Sequence, residues 1–283
     1  MFADRGRGSG RITRWATRSP GVGGIAGVLL LVCLVTVAPA GELDEVKRDL
    51  WAGLPPDLLR RPTVDPPLTF RGPTSLAAAI YKERVGSVVA LAVRDTIGAG
   101  SLVSALGDIV TNEHLLRTAH RARGDEWVLA WFKPAGHSPA TREDFLLARV
   151  LSRDARRDLA LIRLVERAPA AAAIPLAPEP PEIGADVFAI GHPKNYLWSL
   201  TQGVVSQIRA QYTWVGADGV SRSATAIQTR VPAGPGSSGG PLLDRRGAMV
   251  GVVFASVPFE QGMYLAIEAQ HVRQILERKG LGR

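Results

Sequence analysis

Short runs of apolar or alternating residues, each bounded by turn formers, occupy the chain from Ser87 to Ile267. Val88–Val93, Gly98–Ser104, Asp108–Thr111, Trp127–Phe132, Leu146–Leu151 and Leu159–Leu164 make one group. Asp186–Ile190, Thr201–Arg209, Thr225–Val231, Leu242–Leu243, Met249–Ala255 and Met263–Ile267 make a second. Strands this short and evenly spaced predict antiparallel sandwiches or barrels rather than alternating βα units. The Ala- and Pro-rich stretch Ala168–Pro181 parts the groups as a linker would. GSLVSALGDIV from Gly100 and GPLLDRRGAMV from Gly240 each place a second glycine seven positions after the first. That match predicts one similar hairpin in each group, its turn ending in glycine. Helical periodicity is confined to the flanks. A short helix is expected near Leu43–Leu50, and another over Leu76–Arg84, capped by Thr74 or Ser75. A third covers Glu268–Lys279, with Ala269, Val272, Ile275 and Leu276 on one face and Gly280 ending it.

Ahead of this pattern lies a different kind of segment. Residues 1–20 are rich in arginine, and Gly21–Ala40 is an uncharged run followed by Glu42, Asp44 and Glu45. A basic leader, an apolar centre and the small residues Ala38-Pro39-Ala40 fit a secretory signal peptide. The same twenty residues also span a bilayer as an uncleaved anchor, in which Gly23 and Gly27 have the spacing for helix pairing. An organelle transit peptide is the third reading of an Arg-rich, acid-poor leader. Under the first two, the arginines stay cytoplasmic and the body is periplasmic or secreted, with the option of inner-membrane anchoring by residues 21–40. Residues 41–73, with Pro55, Pro56, Pro62, Pro66 and Pro67, are expected to form a Pro-rich linker.

Charge and cysteine usage narrow the chemistry. Half of the net charge of +8 lies in the first 40 residues, where Arg5, Arg7, Arg11, Arg14 and Arg18 stand against Asp4. The remainder is too weakly basic to argue for a nucleic-acid partner. The single cysteine, Cys33, lies in the apolar run, so the part after it has no disulfide, thiol chemistry or cysteine-built zinc site. Val32 precedes it where a lipoprotein signal wants a small residue.

The candidate chemistry centres on Val231–Leu243, VPAGPGSSGGPLL. A turn this rich in glycine lets the backbone adopt dihedrals that side chains forbid, and it can present a serine hydroxyl together with neighbouring N–H groups. Such a nucleophile needs a base and an orienting acid. His114, in IVTNEHLL, directly follows a predicted strand. Asp158 heads the apolar strand DLALIRL, where a carboxylate calls for a cationic partner. His120 and His137 lie in polar loops, and His271 is expected on an exposed helix face. His192, in AIGHPKN, follows a buried strand and reads as structural, and Asp154 among arginines reads as a solvated loop charge.

His114 in TNEH, Asp158 in DLALIRL and Ser238 in GSSGGP, in that order, resemble the trypsin-like serine peptidases. GAGSLVSALGDIVTNEH, the turn Gly191–Pro193, TQGVVS at Thr201–Ser206 and PGSSGGPLL are similar to the HtrA (Deg) branch, from about Leu76 to Lys279. The resemblance implies an all-β fold of two antiparallel six-stranded barrels, set perpendicular with the site between them, and a short C-terminal helix at 268–279. Barrel one would run from about 74 to 168 and barrel two from about 182 to 268, within a protease domain of 74–283. It implies Ser238 as nucleophile, His114 as general base and Asp158 as its orienting group, with the N–H groups of Gly236 and Ser238 as oxyanion hole. Val231, Pro232, Phe254, Ala255, Ser256 and Tyr264, with Met263 and Leu265 alongside, would line the specificity pocket. None is acidic, so small or medium aliphatic residues are expected before the scissile bond, with Tyr264 narrowing the pocket.

The expected partners are protein or peptide substrates, plus a membrane if the leader stays uncleaved, and no metal or organic cofactor is required. Ser237 stands where that branch often has Asn, and no PDZ domain follows Lys279, so regulation and oligomeric state are not carried over. An α/β-hydrolase elbow at Gly236–Gly240 lacks room for the Asp and His that must follow it. A metal hydrolase through His114 and His120 lacks an HExxH helix. A non-catalytic binding module of the same fold is the remaining alternative.

Overall fold

The computed structural model describes residues 40–54, 75–94, 96–134, 141–169, 171–256 and 262–281. The leader expectations, residues 55–73 of the expected 41–73 linker and His137 lie outside the described residues, while 41–52 of that stretch are helical. Among the described residues no helix is long and apolar enough to cross a membrane.

Seven strands build the first sheet: β1 (Val88–Val93), β2 (Thr96–Leu102), β3 (Asp108–Thr111), β4 (His120–Ala122), β5 (Asp125–Phe132), β6 (Phe145–Asp154) and β7 (Leu159–Leu164). Their order is β1-β2-β3-β7-β6-β5-β4, and β1 also pairs with β5, so six of them close into a barrel with β4 appended. The second barrel closes in the order β10-β13-β12-β11-β8-β9. Its members are β8 (Asp186–Gly191), β9 (Ser199–Val215), β10 (Ser221–Thr229), β11 (Pro241–Leu243), β12 (Met249–Ser256) and β13 (Tyr264–Glu268). Two six-stranded antiparallel barrels are what the resemblance implied.

Helices α1 (Ala40–Ala52), α2 (Leu76–Arg84) and α3 (Ala269–Arg278) flank the barrels. β1 shows why its run is apolar throughout. Val89, Leu91 and Val93 join the interior of the first barrel, whereas Ala90 and Ala92 lie under α1 with Trp127, Trp131 and Phe145. Both faces of the strand are buried, so alternation disappears. The helix expected near Leu43–Leu50 is α1, and its Val46 and Leu50 pack on this outer face.

The repeated motif proves to be a repeated hairpin. Gly107 and Gly247 sit at φ 85° and 70°, and their N–H groups bond the carbonyls of Ser104 and Asp244. In each turn the residue three before the glycine also caps with its side chain: Ser104 accepts from Asp108 N–H, and Asp244 from Ala248 N–H. The connection between barrels differs from a solvated linker. Ile174 is buried and its N–H bonds Leu102 of β2, while Ala177 N–H bonds Met249 of β12, so the segment straps the two barrels together.

The direct clamp between barrels is built on His192 and Trp198. Trp198 N–H donates to His192 Nδ1 at 2.9 Å, which leaves the imidazole proton on Nε2 to bond the Val89 carbonyl at 3.0 Å. Trp198 Nε1–H donates to the Val88 carbonyl at 2.9 Å. Full burial pulls the His192 pKa down to about 4, against the opposing effect of the Val89 bond. Above about pH 6.5 this histidine is neutral whether the chain is folded or not, and the clamp contributes fully. Between about pH 6.5 and 4 only the unfolded chain takes up the proton, so stability falls with pH by ~3 kcal/mol in all. Denaturant titrations across that window should show this loss in the native chain and its absence from the slope of His192→Gln.

Candidate active site

β3 and β7 pair with Thr111 opposite Ala160, so the C-terminal end of one strand meets the N-terminal start of the other. That pairing sets His114, three residues beyond β3, against Asp158, one residue before β7. Asn112 fixes the approach, its side-chain N–H donating to the Asp158 carbonyl at 2.9 Å. The Asp158 carboxylate is buried, with a side chain 3% exposed, and it accepts twice from one residue. His114 Nδ1 lies 2.7 Å from Oδ2, and the His114 backbone N–H donates to Oδ1 at 2.9 Å. Asp158 itself holds φ 57°, a left-handed conformation that Asp and Asn tolerate better than most side chains.

The turn before Asp158 is anchored by Asp154. This residue is not the solvated charge expected: its carboxylate, 10% exposed, accepts from Arg157 at 2.8 Å and from Arg278 of α3 at 3.0 Å. Burial raises its pKa, but hydrogen bonds from both arginines outweigh that and leave it lowered. His271 is likewise not the exposed helix residue expected. It is half-buried and accepts from Thr225 N–H at 3.0 Å, and burial lowers its pKa.

Ser238 comes from the second barrel, on the turn before β11. Ser237 N–H bonds the Gly234 carbonyl at 2.8 Å, closing a four-residue turn with Pro235 and Gly236 in its middle. Gly236 sits at φ 97°, which makes this a type II turn rather than type I. The distinction decides which way the Pro235–Gly236 peptide faces. The N–H groups of Gly236 and Ser238 donate to no acceptor among the described residues. Ser238 Oγ donates to the Phe254 carbonyl at 3.3 Å, and among the described residues no hydrogen bond joins it to His114.

Close packing holds this turn in place. A Cβ on Gly236 would overlap the His192 carbonyl oxygen, and one on Gly239, at φ 86°, would overlap the Ala99 carbonyl. One on Gly240 would come within 2.5 Å of the Ile190 carbonyl. Ala99 N–H, in turn, donates to the Ser238 carbonyl at 2.7 Å.

His114, Asp158 and Ser238 all line one cavity of about 500 Å³. Phe254 lines it too, as do Ala233, Gly234, Pro235, Val253 and Leu265. Val231 is instead packed in the core of the second barrel, Pro232 is exposed, and neither these nor the half-buried Tyr264 line the cavity. The side chains of Ala255 and Ser256 lie outside what is described.

The wall that sequence reasoning missed is the outer half of the β9–β10 hairpin, from Tyr212 to Arg222. Trp214 rests against Phe254 with ring centroids 4.5 Å apart, and Tyr212 stacks on Trp214 at 6.1 Å. A bulge beside Gln211, at φ 52°, bends this part of the hairpin. Its signal was the turn pair Asp218-Gly219 between Tyr212–Val215 and Val220.

The chain matches the trypsin-like peptidase domain family over residues 98–252, just over half its length, and belongs to that family. Its curated relatives include protease Do-like 1, chloroplastic, of Arabidopsis thaliana, 32% identical over 167 residues, or 55% of this chain and 32% of that protein. Serine endoprotease DegS of Haemophilus influenzae is 28% identical over 190 residues, or 65% and 50%. The resemblance to the HtrA (Deg) branch thus holds. The chain spans a third to a half of the length of these relatives. Among solved structures, the active form of the Rv3671c protease of M. tuberculosis superposes with a TM-score of 0.58 at 22% identity, covering 76% of this chain and 93% of that one. A serine endoprotease from Yersinia pestis gives 0.54 at 24% identity, covering 74% and 67%. At these identities the two structures speak for the fold.

Gly236→Ala should cost ~1–3 kcal/mol, because the new Cβ meets a backbone carbonyl while φ stays positive. Urea unfolding against the native chain would measure it, and an unchanged midpoint would contradict the packing described.

Proposed function

We propose that the chain is a serine endopeptidase that cleaves protein or peptide substrates by acyl transfer. The observation that carries this reading is the convergence of His114, Asp158 and Ser238 on one cavity beside two backbone N–H donors that have no acceptor among the described residues. In the first step Ser238 turns its hydroxyl from the Phe254 carbonyl toward His114. Oγ then attacks the substrate carbonyl carbon while its proton passes to Nε2. Asp158, held on the Nδ1 side, stabilises the imidazolium so formed. The negative charge gathers on the former carbonyl oxygen, where Gly236 N–H and Ser238 N–H donate to it. Collapse breaks the C–N bond, the imidazolium proton leaves with the amine, and water releases the acyl group by the reverse roles.

The cavity supports an apolar side chain before the scissile bond, since Val253, Phe254, Leu265 and Trp214 form much of its wall. Export of the domain is supported by the basic leader with its apolar run and by relatives named as periplasmic endoproteases, such as a DegP-like protein of Ectopseudomonas mendocina.

A second reading, a binding module with a silent site, draws on one feature: the Ser238 hydroxyl faces Phe254 rather than His114. A fluorophosphonate probe separates the two. Labelling is expected on the native chain and absent from Ser238→Ala. Peptide turnover should fall roughly 10⁶-fold in His114→Ala and about 10⁴-fold in Asp158→Asn. A native chain that never labels would decide for the binding module. A peptide library should return small or medium aliphatic residues at the cleaved position, and a profile led by Lys or Arg would refute that preference.

A further inference from the structure

Behind Asp158 lies a cation that neither the sequence motifs nor the mechanism above employs. Arg222, on β10 of the second barrel, has a side chain only 1% exposed. Its guanidinium is gripped by Asp218 in a two-point fork, Nη1 to Oδ1 at 2.7 Å and Nη2 to Oδ2 at 2.6 Å. Nη2 also reaches Glu113 at 3.4 Å, the residue next to His114. The third nitrogen, Nε, is buried without a hydrogen-bond partner among the described residues and lies 3.6 Å from Asp158 Oδ1. A buried donor with no acceptor is costly, and the near acceptor is the oxygen that already receives the His114 backbone N–H. A contraction of about 0.5 Å would complete a charge-assisted bond.

We propose that Arg222 is a positioning residue, holding the Asp158 carboxylate, and through it the His114 ring, from the opposite barrel. Two features fix where Nε points. The fork to Asp218 sets the plane of the guanidinium, and Arg117, from the turn that begins at His114, holds Asp218 Oδ2 at 2.8 Å. The hairpin backbone also passes so closely over the pair that a Cβ on Gly216 would overlap Arg222 Nη1. A desolvated carboxylate needs a compensating charge, and a neutral imidazole does not supply one. Arg222 does, before any imidazolium forms. Lysine in its place would keep the charge but lose the planar fork that aims it.

The catalytic consequence rests on the triad reading, so the test pairs a direct probe of the His114–Asp158 contact with a probe of acylation. The first is the downfield proton resonance of the His114 Nδ1–H, read by NMR. The second is fluorophosphonate labelling, resolved into a maximal rate and a half-saturation concentration. The variants are Arg222→Lys, Arg222→Met and the charge-balanced pair Arg222→Met with Asp218→Asn, which removes one cation and one anion together should the single change fail to fold. The resonance should weaken or vanish in each folded variant. The maximal labelling rate should fall roughly 10²-fold, as for a misplaced catalytic group, with half-saturation changed less than about twofold. If the native chain shows the resonance but never labels, the triad reading fails, while loss of the resonance in the variants still supports the contact. A resonance and a labelling rate that both survive Arg222→Lys and the paired substitution would overturn the proposal.

Discussion

The site depends on one backbone contact across the seam of the two barrels. The Ser238 carbonyl accepts from Ala99 N–H at 2.7 Å, and Gly239 presses so closely on the Ala99 carbonyl that no side chain fits between them. Thr111 Oγ1 donates to that same carbonyl at 2.7 Å, and Thr111 is the last residue of β3. The serine turn is therefore registered against the strand that leads directly into His114. A slip of either barrel would carry Ser238 and His114 apart in the cavity they share. The strap through Ile174 and the clamp at His192 and Trp198 keep the barrels from slipping.

Buried charge is distributed along the same seam in alternating sign. Arg153 pairs with Glu113 at 2.9 Å and with Glu126 at 2.8 Å, Glu113 faces Arg222, and Arg222 leads to Asp218 and Asp158. Such pairs add little net stability, because desolvation consumes most of their attraction. Their effect is on geometry. Arg153 and Arg222 are each held by more than one carboxylate, so the carboxylates are fixed relative to one another.

Much of this was legible from the residues, and the reasons differ by feature. The strands announced themselves through apolar runs and turn formers, and Gly107 and Gly247 marked matching hairpins. His114, Asp158 and Ser238 could be named because each sits in a short local motif. The outer β9–β10 hairpin carried only its Asp218-Gly219 turn as a signal: Gln211, Thr213 and Val215 are exposed while Tyr212 and Trp214 are half-buried, so the apolar pattern is diluted. Asp154 and His271 read as solvated because Arg278, which joins the neighbouring Arg157 on the Asp154 carboxylate, and Thr225, the partner of His271, lie far away in sequence. The docking of α1 on Trp131 and Phe145 depends on a sheet face that no local pattern reveals.

The doubled hairpin carries a wider implication. Each barrel is a closed sheet with its own copy of that turn, and each supplies only part of the cavity wall: His114 and Asp158 come from one, Ser238 from the other. The two barrels share one core, in which Val88, Val110 and Leu161 of the first pack with Phe188, Ile190 and Leu243 of the second. The cavity is a property of the interface, which the strap through Ile174 helps to hold. A substitution at Val88 or Ile190 in that shared core can therefore reshape the cavity without touching any residue that lines it.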